Sequence, residues 1–239
     1  MNPSFGSSYP TPMSTLARQE AVAGVMRQVY LWMAAGLSVT AGMAWVVATS
    51  SILLVFAQQP ILFYGALIGE VVLVIALAAG INRLSATAGL VLFFAYAGLN
   101  GVTMALIFLI YTASSIASTF AVTAGLFAIM SILAYSTGLD LTRYRSLFLM
   151  GLVGLILGSV VNIFFASGIL YWVLTYGGIA LFLGLTAYDT QRIRRQAEAI
   201  IGGGAQASLQ KLGIMGALSL YLDFINLFLL LLRLVGRRR

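Results

Sequence analysis

Glu70, Asp189 and Asp223, three of the six acidic residues in this chain, lie inside stretches apolar enough to cross a lipid bilayer. A carboxylate at that depth costs roughly 2.5 to 3.5 kcal/mol on insertion scales, so it persists where it meets a partner, water or a transported ion. Each has two readings. Asp189 is either a functional acid or a cap on the end of its helix, paired with Arg192 or Arg195. Asp223 is either an ion-handling group or a hydrogen-bond donor or acceptor to a neighbouring helix. Asn226, three residues further on the same helical face, could add an amide oxygen or hold that aspartate in place. Glu70 either lines a cavity or packs against Asn100.

Other chemistries are narrowed by what is missing. The chain has no cysteine and no histidine, which removes thiolate sites, disulfides, the usual general base and the commonest metal ligand. Any pH response must come from carboxylates. No enzyme activity and no resident cofactor are expected.

The elements that must position these acids are membrane helices. Hydrophobic residues make up 61% of the chain and charged residues 8%, far from the soluble range of about 25% charged. Apolar runs at about 28–49, 61–81, 86–110, 116–136, 146–166, 169–189 and 213–234 predict seven crossings, each near the roughly 20 residues that a bilayer needs. The runs are too long and unalternating for outer-membrane strands. The fold class is therefore an all-α integral membrane protein, a single domain over 28–239. Residues 1–27, with Pro3, Pro10 and Pro12 among serines and glycines, read as a flexible cytosolic tail and not as a signal peptide.

Orientation follows from Lys and Arg near the helix ends. Arg18, Arg27, Arg83, Arg143, Arg145, Arg192, Arg194, Arg195 and Lys211 fall on one side, and the loops around Gln58, Thr112–Ser115 and Ala166–Gly168 are uncharged. This predicts a cytosolic amino terminus. Arg233, Arg237, Arg238 and Arg239 go against the rule if the last run crosses fully, which leaves open a re-entrant hairpin over 213–234. The net charge of +7 is spread over these short loops and forms no stripe for nucleic acid. Gly154 and Gly158 suggest close helix packing, and Gly202–Gly204 a flexible linker.

The segment Ala217-Leu-Ser-Leu-Tyr-Leu-Asp223-Phe-Ile-Asn226-Leu-Phe-Leu-Leu-Leu-Leu-Arg233 follows Gly184-Leu-Thr-Ala-Tyr188-Asp189-Thr-Gln-Arg192. Together they closely resemble the Bax inhibitor-1, or transmembrane Bax inhibitor motif, family in its bacterial form. Gly36-Leu-Ser-Val-Thr40-Ala-Gly42, Tyr96-Ala-Gly-Leu-Asn100-Gly101 and the Asp140-Leu-Thr142 loop extend the likeness over nearly the whole chain after the tail.

The resemblance implies a seven-helix bundle with the last helix central, in a bacterial plasma (inner) membrane. It also implies a pH-sensitive calcium leak gated by Asp189 and Asp223. Two carboxylates sharing a site do not easily both ionise and exchange protons as a unit. Ionised, they offer hard oxygens to Ca²⁺, which takes six to eight at about 2.3–2.6 Å, so protons and a transient calcium should compete at a weak site. The family pattern adds a basic latch on the helix 6 aspartate. Arg83 is the candidate, and it reads equally well as a topology signal.

Spacing alone does not bring the aspartates together. Asp189 comes some twenty residues into helix 6 and Asp223 about ten into helix 7 from the other side, a mismatch of roughly 15 Å unless helix 7 begins before about Ser219 or helix 6 tilts steeply. Two other functions compete. An intramembrane aspartyl protease of the presenilin type would use two aspartates, but Tyr-Leu precedes Asp223 where that class has Gly-x-Gly. A non-conducting regulator that restrains a membrane-anchored AAA protease or another stress-response protein would work through the tail.

Overall fold

A computed structural model describes residues 14–136, 139–203 and 206–239. Among them the chain is helical, with α1 Thr15–Ala48, α2 Ile52–Gln58, α3 Pro60–Gly80, α4 Ala86–Met104, α5 Ile107–Ile110, α6 Ala113–Ser136, α7 Arg145–Phe165, α8 Gly168–Gly203 and α9 Gln206–Val235. A 3₁₀ turn, Leu141–Tyr144, leads into α7. Seven segments are long and apolar enough to cross a membrane: α1, α3, α4 with α5, α6, the 3₁₀ turn with α7, α8, and α9. The protein is an all-α membrane bundle, as its composition requires.

The last helix lies at the centre. Two-thirds of the apolar window of α9 (67%) is buried, against none of that of α7. α9 packs on α8, α1, α6 and α4, and Leu220, Tyr221 and Leu227 are wholly buried. Lipid tails are as apolar as leucine, so burial here reflects close packing and polar pairing more than hydrophobic drive. Small residues make the approach possible. A Cβ on Gly36 would meet the Phe93 ring at 2.6 Å, and one on Gly101 would meet the Thr40 carbonyl oxygen at 2.5 Å. Of the two glycines expected to pack, Gly158 sits against Leu174, whereas Gly154 faces open space.

Three helices run longer than the apolar runs, all at the arginine-rich end. α1 starts at Thr15, where the Ser14 side chain accepts from the Ala17 amide at 3.2 Å. Val22, Val25, Met26 and Val29 then bury one face at helical spacing while Arg18, Gln19, Glu20 and Arg27 occupy the other. This extension is amphipathic, which is why an unbroken apolar run did not reveal it. The tail expected over residues 1–27 is therefore helical from Thr15, and its earlier part lies outside the described residues. α8 likewise continues past Asp189 to Gly203, and α9 begins at Gln206. Gly202 and Gly203 belong to the end of α8, not to a linker, while Gly204 lies outside the described residues.

At the opposite end, the expected run 86–110 breaks after Met104 and resumes as α5, and the short α2 fills the connection after α1. Leu53 of α2 packs there with Val47 and Ala105. α9 is unbroken, so 213–234 is no re-entrant hairpin. Its end meets the connection between α5 and α6: the Thr112 amide donates to Arg237 O at 3.2 Å, the Arg239 amide to Ile110 O at 2.9 Å and the Arg237 amide to Ser115 Oγ at 2.9 Å. Arg233 lies over the Tyr171 ring at 5.2 Å from its centre. Local partners thus hold the four arginines at the end of the bundle that charge bias alone would keep free of them.

Packing at Gly101 yields a test. Gly101→Val drives a side chain into Thr40 and Met43 and should lower unfolding stability in detergent by about 1–3 kcal/mol. Gly98→Ala, which meets nothing within 4 Å, should be neutral or slightly stabilising.

Candidate functional site

α8 and α9 form an antiparallel pair with Asp189 and Asp223 on their shared contact. Asp189 lies fourteen residues before the end of α8, and Asp223 seventeen after the start of α9. At about 1.5 Å per residue the two aspartates sit within about 5 Å of one level. The early start of α9 thus removes the depth mismatch. Asp189 and Asp223 are both buried. The helix extensions beyond the apolar runs create this register.

The two acids differ in surroundings. Asp189 lies within an unbroken buried stretch, Thr186 to Gln191, and its Oδ1 accepts from Arg192 Nη1 at 3.4 Å. The Arg192 side chain is 47% exposed, so this long ion pair is worth at most about 1 kcal/mol. Asp223 is deeper, and its Oδ2 has no hydrogen-bond partner among the described residues. A buried carboxyl oxygen left in that state is costly. It is the atom most in need of a proton or a cation. Asn226 does not relieve it, because its Nδ2 donates to Leu222 O at 2.8 Å on its own helix.

Arg83 does not meet Asp189 in this structure. It is exposed in the turn between α3 and α4 and makes no ion pair among the described residues. The basic group on Asp189 is Arg192, one turn along the same helix. In the turn that holds Arg83, Lys211 Nζ donates to the neighbouring Asn82 O at 2.8 Å.

Glu70 belongs to a second arrangement, on the opposite side of α9. Asn100 Nδ2 donates to Glu70 Oε2 at 3.0 Å and Thr103 Oγ1 to Oε1 at 2.6 Å. The Tyr221 hydroxyl donates to Asn100 Oδ1 at 3.0 Å and lies 2.7 Å from Thr40 Oγ1. From Tyr221 through Asn100 the donors point toward Glu70, and the Thr40 hydroxyl beside Tyr221 also lies 2.8 Å from Ala97 O. The network ties α1, α3, α4 and α9 together. Tyr221 and Asp223 are two residues apart, about 200° around the helix, so α9 presents the hydroxyl to one side and the carboxyl to the other. The packing alternative for Glu70 is the one the structure contains.

A third cluster fixes the connection between α6 and α7. Gln191 Nε2 donates to Ala134 O and Leu139 O at 3.1 and 3.0 Å, and its Oε1 accepts from the Leu141 amide at 2.9 Å. Asp140 accepts from Thr142 Oγ1 at 2.6 Å and pairs with Arg195 at 2.8 Å and Arg143 at 3.2 Å. The Thr142 hydroxyl first, then Arg195, holds the Asp140 carboxyl down at about 2. Gln191 was not singled out from the sequence. Its signal was a polar amide two residues after Asp189, and its role depends on a loop that folds back from elsewhere.

For metal binding, the described residues contain no group of three or more acidic, histidine or cysteine ligands. Asp189 and Asp223 together supply at most four carboxylate oxygens, short of the six to eight that Ca²⁺ prefers, so any calcium there needs water or carbonyl oxygens as well.

Comparison with known proteins agrees with the fold and the motifs. A family model described as inhibitor of apoptosis-promoting Bax1 matches residues 22–239. The inner membrane protein YbhL of Escherichia coli K12 is 45% identical over 233 residues, 97% of this chain and 99% of that protein. An uncharacterized protein of Borreliella burgdorferi is 37% identical over 215 residues, covering 90% and 92%. One from Deinococcus radiodurans is 38% identical over 213 residues, covering 89% and 90%.

Two outcomes test this geometry. Tyr221→Phe orphans Asn100 Oδ1 and should cost about 1–3 kcal/mol of stability. Tyr188→Phe, whose ring packs on Phe148, should cost clearly less; equal losses would contradict the network. The second concerns pH. The Asp140 carboxyl is lowered from 3.8 to about 2, so its contribution is complete above about pH 4 and lost as pH falls through about 2. Wild type should lose thermal stability between those limits that Asp140→Asn does not.

Proposed function

The chain belongs to the Bax inhibitor-1 family, and from that membership we propose that it is a multi-pass inner-membrane protein with a cytosolic amino terminus that passes Ca²⁺ down its gradient under proton control. The observation that carries this reading is the buried meeting of Asp189 and Asp223 between α8 and α9.

Two buried carboxyls at one level of facing helices share a proton more easily than they ionise together. While the proton is held, the pair is a poor cation ligand. When it leaves, two anionic groups face one another in a low-dielectric setting, and a divalent cation is the species that best offsets them. Protons and Ca²⁺ then compete for one site, and Ca²⁺ occupancy falls as pH falls. Arg192 supplies the fixed countercharge on Asp189 from the exposed side. Its long contact and flexible, half-exposed guanidinium let a cation displace it without breaking a buried ion pair. The set of groups that sets the response is Asp189, Asp223 and Arg192. Glu70, whose two oxygens accept from Asn100 and Thr103 on the other side of α9, serves the scaffold.

Calcium flux into liposomes containing the purified protein tests the reading between pH 6 and 8. Wild type should show a pH-dependent flux that Asp189→Asn or Asp223→Asn abolishes or makes independent of pH. Arg192→Gln should shift the pH profile, and Arg83→Gln should leave it in place. A wild type that passes no Ca²⁺ above empty liposomes at any pH overturns the leak, and leaves restraint of a membrane-anchored protease or another stress-response protein as the role to test by deletion of the amino-terminal segment.

A further inference from the structure

Two cavities among the described residues share lining residues and lie apart from Asp189 and Asp223. One, of about 650 Å³, is an apolar trough between α1 and α6 with Phe224 of α9 as its inner wall; Met33, Leu37, Phe120 and Phe127 line it. α1 and α6 barely touch along this length, and Ile132 on the rim is 65% exposed, so the trough opens sideways between membrane-spanning helices. The other, of about 710 Å³, lies at the arginine-rich end and is lined by Arg18, Arg27, Arg194 and Glu198. Tyr30 and Tyr135 line both and mark the junction.

We infer that this groove holds one acidic membrane phospholipid, its phosphate on the arginines and an acyl chain along the trough between α1 and α6. The polar end carries three guanidinium groups against one carboxylate. Arg194 Nε pairs with Glu198 at 3.0 Å, and its head lies 5.2 Å from the centre of the Tyr135 ring. Arg18 Nη2 donates to Glu198 O at 2.8 Å. Each guanidinium has five N–H donors, so both keep donors to spare. Arg27 makes no ion pair among the described residues. The excess positive charge and forked donors suit a phosphate monoanion.

The apolar end cannot be filled by water, because few polar groups are there to hold it. Ser38 bonds to Ala34 O on its own helix. Ser131 borders the trough one turn from Tyr135, at the level where the ester carbonyls of a lipid would lie, below the headgroup and above the chains. From Arg27 to Leu37 along α1 is roughly 15 Å, enough for a phosphate, a glycerol backbone and the upper part of an acyl chain. The paired tyrosines sit where aromatic side chains favour the membrane interface.

Native mass spectrometry of the full-length protein, titrated with phosphatidylglycerol or phosphatidylcholine, tests the proposal. Wild type should take up one phosphatidylglycerol with about tenfold preference, because both lipids offer the phosphate but the choline of phosphatidylcholine brings a cation beside the three guanidinium groups. Arg27→Gln, at an exposed position, should remove most of that preference, whereas Arg83→Gln should keep it. Ala34→Phe, which fills the exposed wall of the trough, should weaken both lipids. Equal uptake of the two lipids by wild type, equal effects of Arg27→Gln and Arg83→Gln, or displacement by free glycerol phosphate would each overturn it.

Discussion

Inside a bilayer a polar side chain has no water to fall back on, and this constraint organises the bundle around α9. That helix carries Tyr221 and Asp223 on opposite faces, so each must find its partner in a different neighbour. Tyr221 finds Asn100 and Thr40, and through them α1 and α4 are held against the central helix. Asp223 lies on the other side, at the level of Asp189 of α8. One side of α9 is thus satisfied and rigid, while the other keeps an acid whose needs change with its protonation. The contrast separates scaffold from site more sharply than burial does, since Glu70 and Asp223 are both buried. Glu70 accepts two close donors, and Asp223 Oδ2 has none among the described residues.

The register that brings Asp189 to Asp223 is set outside the apolar part of the chain. Both helices continue at the arginine-rich end, where Ile193, Ala197 and Ile214 bury against the start of α1 and Arg194 pairs with Glu198. The Gln191 clamp and the Asp140 to Arg195 pair then fasten the connection between α6 and α7 to the same stretch of α8. α8 is held on two faces in the turns that follow Asp189, and movement of α8 against α6 would have to loosen these polar contacts while leaving the Tyr221 network intact.

Seven crossings and the three buried acids were legible because polar residues within long apolar runs stand out, whereas the central last helix was an expectation from the family likeness of the last two motifs. The limits of those runs were misleading at one end of the molecule. α1 before Tyr30 and α8 after Asp189 alternate charged and apolar residues at helical spacing, so a reading for uninterrupted hydrophobicity stops early, and the apparent mismatch in depth between Asp189 and Asp223 followed from that. Arg192 was one of two arginines that the spacing offered as a partner of Asp189, and the structure contains that pair; the latch on Arg83 rested on the family likeness and not on spacing. Thr40, Asn100 and Tyr221 lay within the motifs noted, yet their joining into one chain depends on α1, α4 and α9 meeting at a single level, which spacing along one helix does not encode. Gln191 was hidden more deeply, since its partners belong to a loop distant in sequence.

The central claim is that Asp189 and Asp223 hold a proton in common and surrender it to a cation. Infrared difference spectroscopy of the protein in lipid, with Ca²⁺ added at constant pH, measures this directly through the carbonyl stretch of a protonated carboxyl. The account predicts a band that disappears when Ca²⁺ is added and is changed by both Asp189→Asn and Asp223→Asn. A band that ignores Ca²⁺, or one that both substitutions leave untouched, would contradict it.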